Sequence, residues 1–158
     1  MRSRTAQWFE CKIRYEKMME DGLVKKVTES YTVDALSFSE AEARIFEEMS
    51  SYISVEFTVE DIKKAPYKEI FFSDKENADK WYRAKLAFIT IDEHTEKEKR
   101  SNVNYLVQAE SLNAAMKNID EVMGGTMIDY VQCALQETPL MDVFEYKKKE
   151  EKPESEKK

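Results

Sequence analysis

Two segments of this chain each place a tryptophan and two basic side chains on what would be one face of a β-strand. The six residues are Trp8, Lys12, Arg14, Trp81, Arg83 and Lys85. They share a face because strand side chains alternate with period two. Aromatic rings flanked by cations on an open sheet stack the bases of single-stranded nucleic acid and hold its phosphates. The six residues are therefore a candidate contact face.

The recurrence of the two tryptophans also fits a packing role. Trp8 and Trp81 occupy equivalent places in the two halves of the chain, so the rings can pack at the junction of the halves under the Lys stems. The net charge of −7 counts against a general binder of nucleic acid or of anionic membranes. Both interpretations, a nucleic-acid face and a packing junction, remain open from the sequence.

Other residue types that carry chemistry are sparse and scattered. The single histidine, His94, lies in the polar segment 92–100, which is typical of a hairpin loop. Cys11 and Cys133 lie in strand-like segments and are predicted to be two buried, reduced thiols. The sequence contains no glycine-rich phosphate loop and no calcium-loop spacing. We therefore predict no catalytic residue, no metal site and no cofactor, and a protein that is not an enzyme.

A repeat organises these residues. Residues of the first half return in the second half 73 or 74 positions later. The clearest pairs are Trp8/Trp81, Ala41/Ala115, Ile45/Ile119, Met49/Met123 and Pro66/Pro139. An internal repeat restricts the fold because each unit must adopt the same elements.

The hydrophobic pattern predicts the same elements in each half. Alternation over 8–17 and over 81–91 indicates the first strand of each half. Apolar stripes at helical spacing predict helices over 38–52 and 112–123, and Ser37 fits the N-cap of the first. Further strands are predicted at 27–35, 55–59, 69–72, 102–109, 127–135 and 141–146.

We therefore predict an α+β fold of two tandem ββαββ repeats related by a pseudo-twofold axis. Each repeat is expected to form an antiparallel sheet with one helix packed on a face. The predicted first repeat is 1–73, the polar link 74–80, the second repeat 81–146 and the disordered charged tail 147–158. Each unit is marginal alone, so the halves are expected to pair through sheet edges or uncovered faces.

Three segments carry a resemblance to known proteins, namely Trp8–Tyr15, Tyr31–Ile45 and Thr138–Phe144. They resemble a family from gut Bacteroidetes and their phages that is defined by a domain of unknown function. The stretch Val33–Ala41, which reads VDALSFSEA, is its most specific part. The resemblance extends to about Tyr146 and implies a cytoplasmic protein of a bacterium or phage. It assigns no active site.

Taken together, the sequence favours a non-enzymatic binding or accessory module that acts through protein contacts on an open sheet face or an exposed strand edge. A single-stranded nucleic-acid binder and a small-molecule binder in the cleft between the halves are the alternatives. No membrane contact is expected, because no apolar run is long enough to span a bilayer. The parts that do not recur, which include the 92–100 loop, Ile89, Ile91 and Leu106, are where specialised function is expected.

Overall fold

The computed structural model describes residues 1–146, so the predicted charged tail, 147–158, lies outside the described residues. The elements in chain order are β1 (Arg2–Arg4), β2 (Trp8–Met18), β3 (Val24–Asp34), α1 (Phe38–Ser50), β4 (Phe57–Lys64), β5 (Tyr67–Phe72), β6 (Lys80–Ile91), β7 (Glu98–Ala109), α2 (Leu112–Gly124), β8 (Asp129–Glu137) and β9 (Leu140–Phe144). Apart from the short β1, this is the predicted order of strands and helices.

Both helices begin at a serine cap. Ser37 Oγ accepts a hydrogen bond from Glu40 N at 3.1 Å, and Ser111 Oγ accepts one from Ala114 N at 3.1 Å. The caps satisfy backbone donors that the first turn of a helix leaves free. The apolar stripes bury Ala41, Ile45, Met49, Ala115, Ile119 and Met123. The two predicted helices are confirmed, and neither helix within residues 1–146 is long and apolar enough to cross a membrane.

The strands form two mixed sheets, which confirms the α+β class but corrects the predicted strand directions. One sheet has the order β1-β5-β7-β6-β8 and the other β4-β2-β3-β9. Strand β5 runs parallel to β7, and β9 runs parallel to β3. The prediction of antiparallel sheets is therefore wrong at these two pairs, where the last strand of one half lies in the sheet of the other half.

The interior position of β5 fits its two apolar faces. Phe71 packs in the core cluster under α2, while Ile70 and Phe72 pack on the opposite side of the same sheet. A strand that is apolar on both faces is stable only inside a sheet that is covered on both faces. Between β1 and β7, strand β5 has neighbours on both sides and apolar cover above and below.

A third core cluster joins the two sheets, besides the clusters under α1 and α2. Its buried members are Trp8, Tyr67, Ile70, Phe72, Trp81, Leu106, Leu140 and Val143. We call it the seam cluster. Because it draws residues from both halves, it buries apolar surface that either sheet alone would leave exposed. Leu106, one of the residues that do not recur, is fully buried here.

Candidate functional site

The two tryptophans lie in the seam cluster and are not available to a ligand. Trp8 and Trp81 are each only 2% exposed. Trp81 packs edge-on against Phe72, with ring centroids 5.6 Å apart. A ring buried in this way cannot stack on a nucleic-acid base. Of the two interpretations of the sequence, the packing junction is therefore the one that the geometry of these rings supports.

The four basic residues of the predicted contact face remain on the sheets without an exposed tryptophan between them. Lys12 is half-buried, whereas Arg14, Arg83 and Lys85 are exposed. Arg14 lies 3.7 Å from Glu60, an exposed ion pair of small energetic weight. Arg83 Nε donates to Asn104 Oδ1 at 3.4 Å. These residues therefore supply positive charge but no aromatic platform.

The thiols and the histidine offer no nucleophilic pair. Burial raises the pKa of the Cys11 thiol to about 12, so it stays protonated at neutral pH. Cys133 is exposed, so the prediction of two buried thiols is wrong for it, because β8 lies at the edge of its sheet. His94 is exposed in the loop between β6 and β7. Within residues 1–146, no three His, Cys, Asp or Glu side chains form a group suited to a metal ion.

The strand edges differ in how well they are protected from pairing with another chain. Strand β1 has three residues and β9 has five, and short edges offer little to pair with. Strand β4 carries Glu60, Asp61, Lys63 and Lys64. Strand β8, in contrast, has nine residues, and the run Tyr-Val-Gln-Cys-Ala-Leu-Gln between its terminal acids is uncharged. It is the edge whose backbone groups are best placed to accept a further strand.

Exposed apolar side chains surround the start of β8. Val131 pairs with Ala87 and so lies on the sheet face opposite α2, where it is 39% exposed. The segment between α2 and β8 contributes Met127, and Ile91 is the last residue of β6. Met127 is fully exposed and Ile91 is 71% exposed. We call the set Ile91, Met127, Ile128, Val131 and Cys133, with the edge of β8, the β8 surface.

A β-bulge shapes this edge. The register between β6 and β8 shifts between Lys85 and Leu86, which leaves Cys133 without a partner on β6. A bulge bends a strand and increases its local twist. The bend separates β8 into the stretches 129–132 and 134–137, and the stretch 129–132 lies among the apolar side chains of the β8 surface.

Helix α2 holds the start of β8 from the other face. Tyr130 Oη donates to Asp120 Oδ1 at 2.7 Å, a hydrogen bond that raises the pKa of Tyr130. Gln132 Nε2 donates to the same oxygen at 2.9 Å and to the carbonyl of Met116 at 3.2 Å. These bonds fix the stretch 129–132 and place the half-exposed Met116 beside it.

A buried carboxylate on β3 ties the first and last described segments to the sheet that contains β3, and sequence reasoning missed it. Asp34 is 4% exposed and forms ion pairs with Arg44 and with Arg4, whose Nη2 is 2.5 Å from Asp34 Oδ2. The backbone N–H of Tyr146 donates to Asp34 Oδ1 at 2.7 Å. Two guanidinium groups and one backbone amide of the protein satisfy the buried charge of Asp34. The arrangement is therefore a structural site.

The second half has a neutral version of this arrangement. Gln108 Oε1 accepts a hydrogen bond from Ser73 N at 3.0 Å, and Asn118 Nδ2 donates to the Gln108 carbonyl at 3.3 Å. Gln108 and Asn118 lie 74 positions after Asp34 and Arg44, whose bond to the Asp34 carbonyl is the counterpart. The offset of the repeat was a signal for both pairs of positions. They could have been found by comparing residues at that offset even where the residue types differ.

The chain matches a protein family over most of its length. Residues 7–146 match the family described as a domain of unknown function, DUF4494. The chain belongs to this family. The DUF4494 match contains β2 to β9, and with them the seam cluster, Asp34 and the whole β8 surface, but not β1. No curated protein and no solved structure matches the chain.

A cleft opens beside the seam cluster of this DUF4494 chain, and its residues Arg2 and Arg44 are already engaged in ion pairs. The cleft has a volume of about 810 Å³ and is lined by residues that include Arg2, Arg44, Trp81 and Glu145. Arg2 pairs with Glu145 at 2.6 Å, and this interaction holds the pKa of Glu145 below its ordinary value. Arg44 is held by Asp34. A ligand in the cleft would have to break these ion pairs. We therefore favour the β8 surface as the candidate binding site.

Proposed function

We propose that the chain is a non-enzymatic binding module that accepts an extended segment of another protein at the β8 surface. The observation that carries this proposal is the uncharged edge of β8, which lies among exposed apolar side chains. The free edge of a sheet offers backbone donors and acceptors to an added strand, and neighbouring side chains select its sequence. The same surface includes Ile91, which lies among the parts of the sequence that do not recur.

The charges of the chain favour a different protein, rather than a second copy, as the partner. Antiparallel self-pairing over the whole of β8 would place Asp129 opposite Glu137 at both ends of the added ladder. Like charges directly opposite each other destabilise a strand pair. Each copy also carries a net charge of −7, which opposes association at low salt.

Val131→Lys is expected to weaken binding to this surface by at least about tenfold. The lysine puts a charge on the apolar face beside the free edge. The probe is a peptide as long as β8. It is selected from a displayed library of random sequences for binding to the full chain. Affinity is then measured by fluorescence anisotropy of the labelled peptide.

Thr58→Lys is the matched control for this experiment. Thr58 is the exposed counterpart of Val131, since it pairs with Arg14 on β2 as Val131 pairs with Ala87 on β6. The control is expected to stay within about twofold of the parent affinity, since it changes the other edge. Equal loss in both variants, or a library that yields no binder, would overturn the proposal.

Single-stranded nucleic acid remains the alternative partner, now without its stacking residues. We expect no quenching of tryptophan fluorescence when the chain is titrated with a single-stranded oligonucleotide at low ionic strength, because Trp8 and Trp81 are buried. Binding through phosphates alone would be weak for an acidic protein and would vanish as salt is added. Strong quenching at low salt that disappears at high salt would instead support the nucleic-acid function.

We further propose the two-repeat organisation and the biological setting expected from the sequence. The pseudo-twofold relation is supported by paired contacts such as Ala65 N to Trp8 O at 2.8 Å and Thr138 N to Trp81 O at 2.9 Å. Repeats over 1–73 and 81–146 fit these contacts. A cytoplasmic role in a bacterium or phage rests on the sequence resemblance alone.

A further inference from the structure

We propose that the segment bound at the β8 surface has an apolar middle and a cationic end, which lies against the start of β8. This inference rests on the proposed function and specifies the chemistry of its partner. It follows from the apolar side chains on both sides of the edge, from the carboxylates at one end of β8 and from the cations near the other end.

Apolar groups flank the free edge on both faces of the sheet. On the helix side, Met116 of α2 is about half exposed, and its backbone carbonyl accepts a hydrogen bond from Gln132 of β8. On the opposite face lies Val131, and the exposed Met127 comes shortly before the start of β8. Side chains of an added strand point alternately to the two faces, so both sets of its side chains meet apolar surface. A segment rich in Val, Ile or Thr fits this requirement best.

Carboxylates stand at the start of β8 without basic partners. Asp129 forms no ion pair within residues 1–146, and neither does Asp120. Among the described residues, Asp120 accepts hydrogen bonds only from the neutral groups of Tyr130 and Gln132. A Lys or Arg at the adjoining end of the segment would therefore gain two uncompensated negative charges as neighbours.

The opposite end of β8 has a different charge. Gln136 pairs with Arg83, and Ala134 pairs with Lys85, so two exposed cations of β6 lie on the neighbouring strand. Glu137, the acid at this end, is 3.9 Å from Lys80. A segment cation is therefore favoured at the start of β8 and disfavoured at its end. The charge pattern sets the direction of the segment as well as its composition.

Four synthetic peptides as long as β8 test this inference. All have a middle of alternating Val and Thr, and they carry two Lys or two Glu at either the amino or the carboxyl end. Each Lys peptide is compared with the Glu peptide that carries its charges at the same terminus. One of the two Lys peptides is expected to bind the full chain about fivefold more tightly, or better, than its Glu counterpart. The difference is expected to shrink in concentrated salt, because exposed charges are screened.

The double substitution Asp120→Asn with Asp129→Asn is expected to abolish this preference. The asparagine oxygen at position 120 still accepts the bonds from Tyr130 and Gln132, so the strand stays in place. Asp61→Asn on the edge strand β4 is the control and is expected to leave the preference unchanged. Equal or tighter binding of the Glu peptides overturns the inference but leaves the proposed function standing, provided that binding still responds to Val131→Lys. Failure of all four peptides to bind counts against both.

Discussion

Replacing Asp34 by Asn is expected to lower the free energy of unfolding by about 3–5 kcal/mol. The substitution keeps the shape of the side chain and an acceptor for the N–H of Tyr146, but it removes the negative charge between Arg4 and Arg44. The side chain of Arg44 is only 10% exposed, so its charge would be left in a largely buried place. The measurement is urea unfolding followed by far-ultraviolet circular dichroism.

Gln108→Ala is the matched control, because Gln108 holds the equivalent place in the second half with a neutral side chain. It is expected to cost about 1–2 kcal/mol, as for one hydrogen bond whose partly buried donor loses its partner. A loss for Asp34→Asn no larger than that for Gln108→Ala would show that the buried charges contribute nothing beyond hydrogen bonding, contrary to this prediction.

Truncating Trp81 to Ala is expected to cost about 3–5 kcal/mol of stability, as for other buried large aromatic side chains. The change removes the ring that packs on Phe72 and opens a cavity between the two sheets. If the two tryptophans served only to contact a ligand, the same substitution would leave stability nearly unchanged. Urea unfolding distinguishes these outcomes directly.

Trp8→Phe sharpens this test within the same cluster. Trp8 Nε1 is buried without a hydrogen-bond partner among residues 1–146. Phenylalanine lacks this donor, so removal of an unsatisfied polar group offsets part of the cost of the smaller ring. We expect Trp8→Phe to cost less than about 1.5 kcal/mol and Trp8→Ala to cost as much as Trp81→Ala. A Phe variant as unstable as the Ala variant would contradict this expectation.

The local elements were predictable because each is set by nearby residues. Ser37 and Ser111 start the helices, and the stripes after them face the sheets. Strands β2 and β6 follow from simple alternation. Strand β1 was not predictable, because Arg2–Arg4 shows no hydrophobic pattern and forms a strand only by pairing with the end of β5.

The candidate site was less predictable, because it depends on which strand lies at an edge. The sequence alone did not show that β5 and β9 change sheets, since their apolar residues fit either sheet equally well. Cys133 illustrates the consequence. A central position of the same strand would bury this side chain, whereas the edge position exposes it. Burial of the tryptophans likewise depends on how the two sheets pack, and the strand pattern does not determine that packing.

The placement of β9 also affects how the protein is made. Leu140–Phe144 is the last strand of the described chain, yet it completes the sheet that begins with β2 near the amino terminus. During synthesis, residues 8–64 can form their hairpin and helix, but the side of β3 that β9 later occupies stays without its neighbour. The sheet that contains β2 and β3 can therefore be completed only after nearly all of the described residues have left the ribosome. Until then the nascent chain presents an unpaired strand edge.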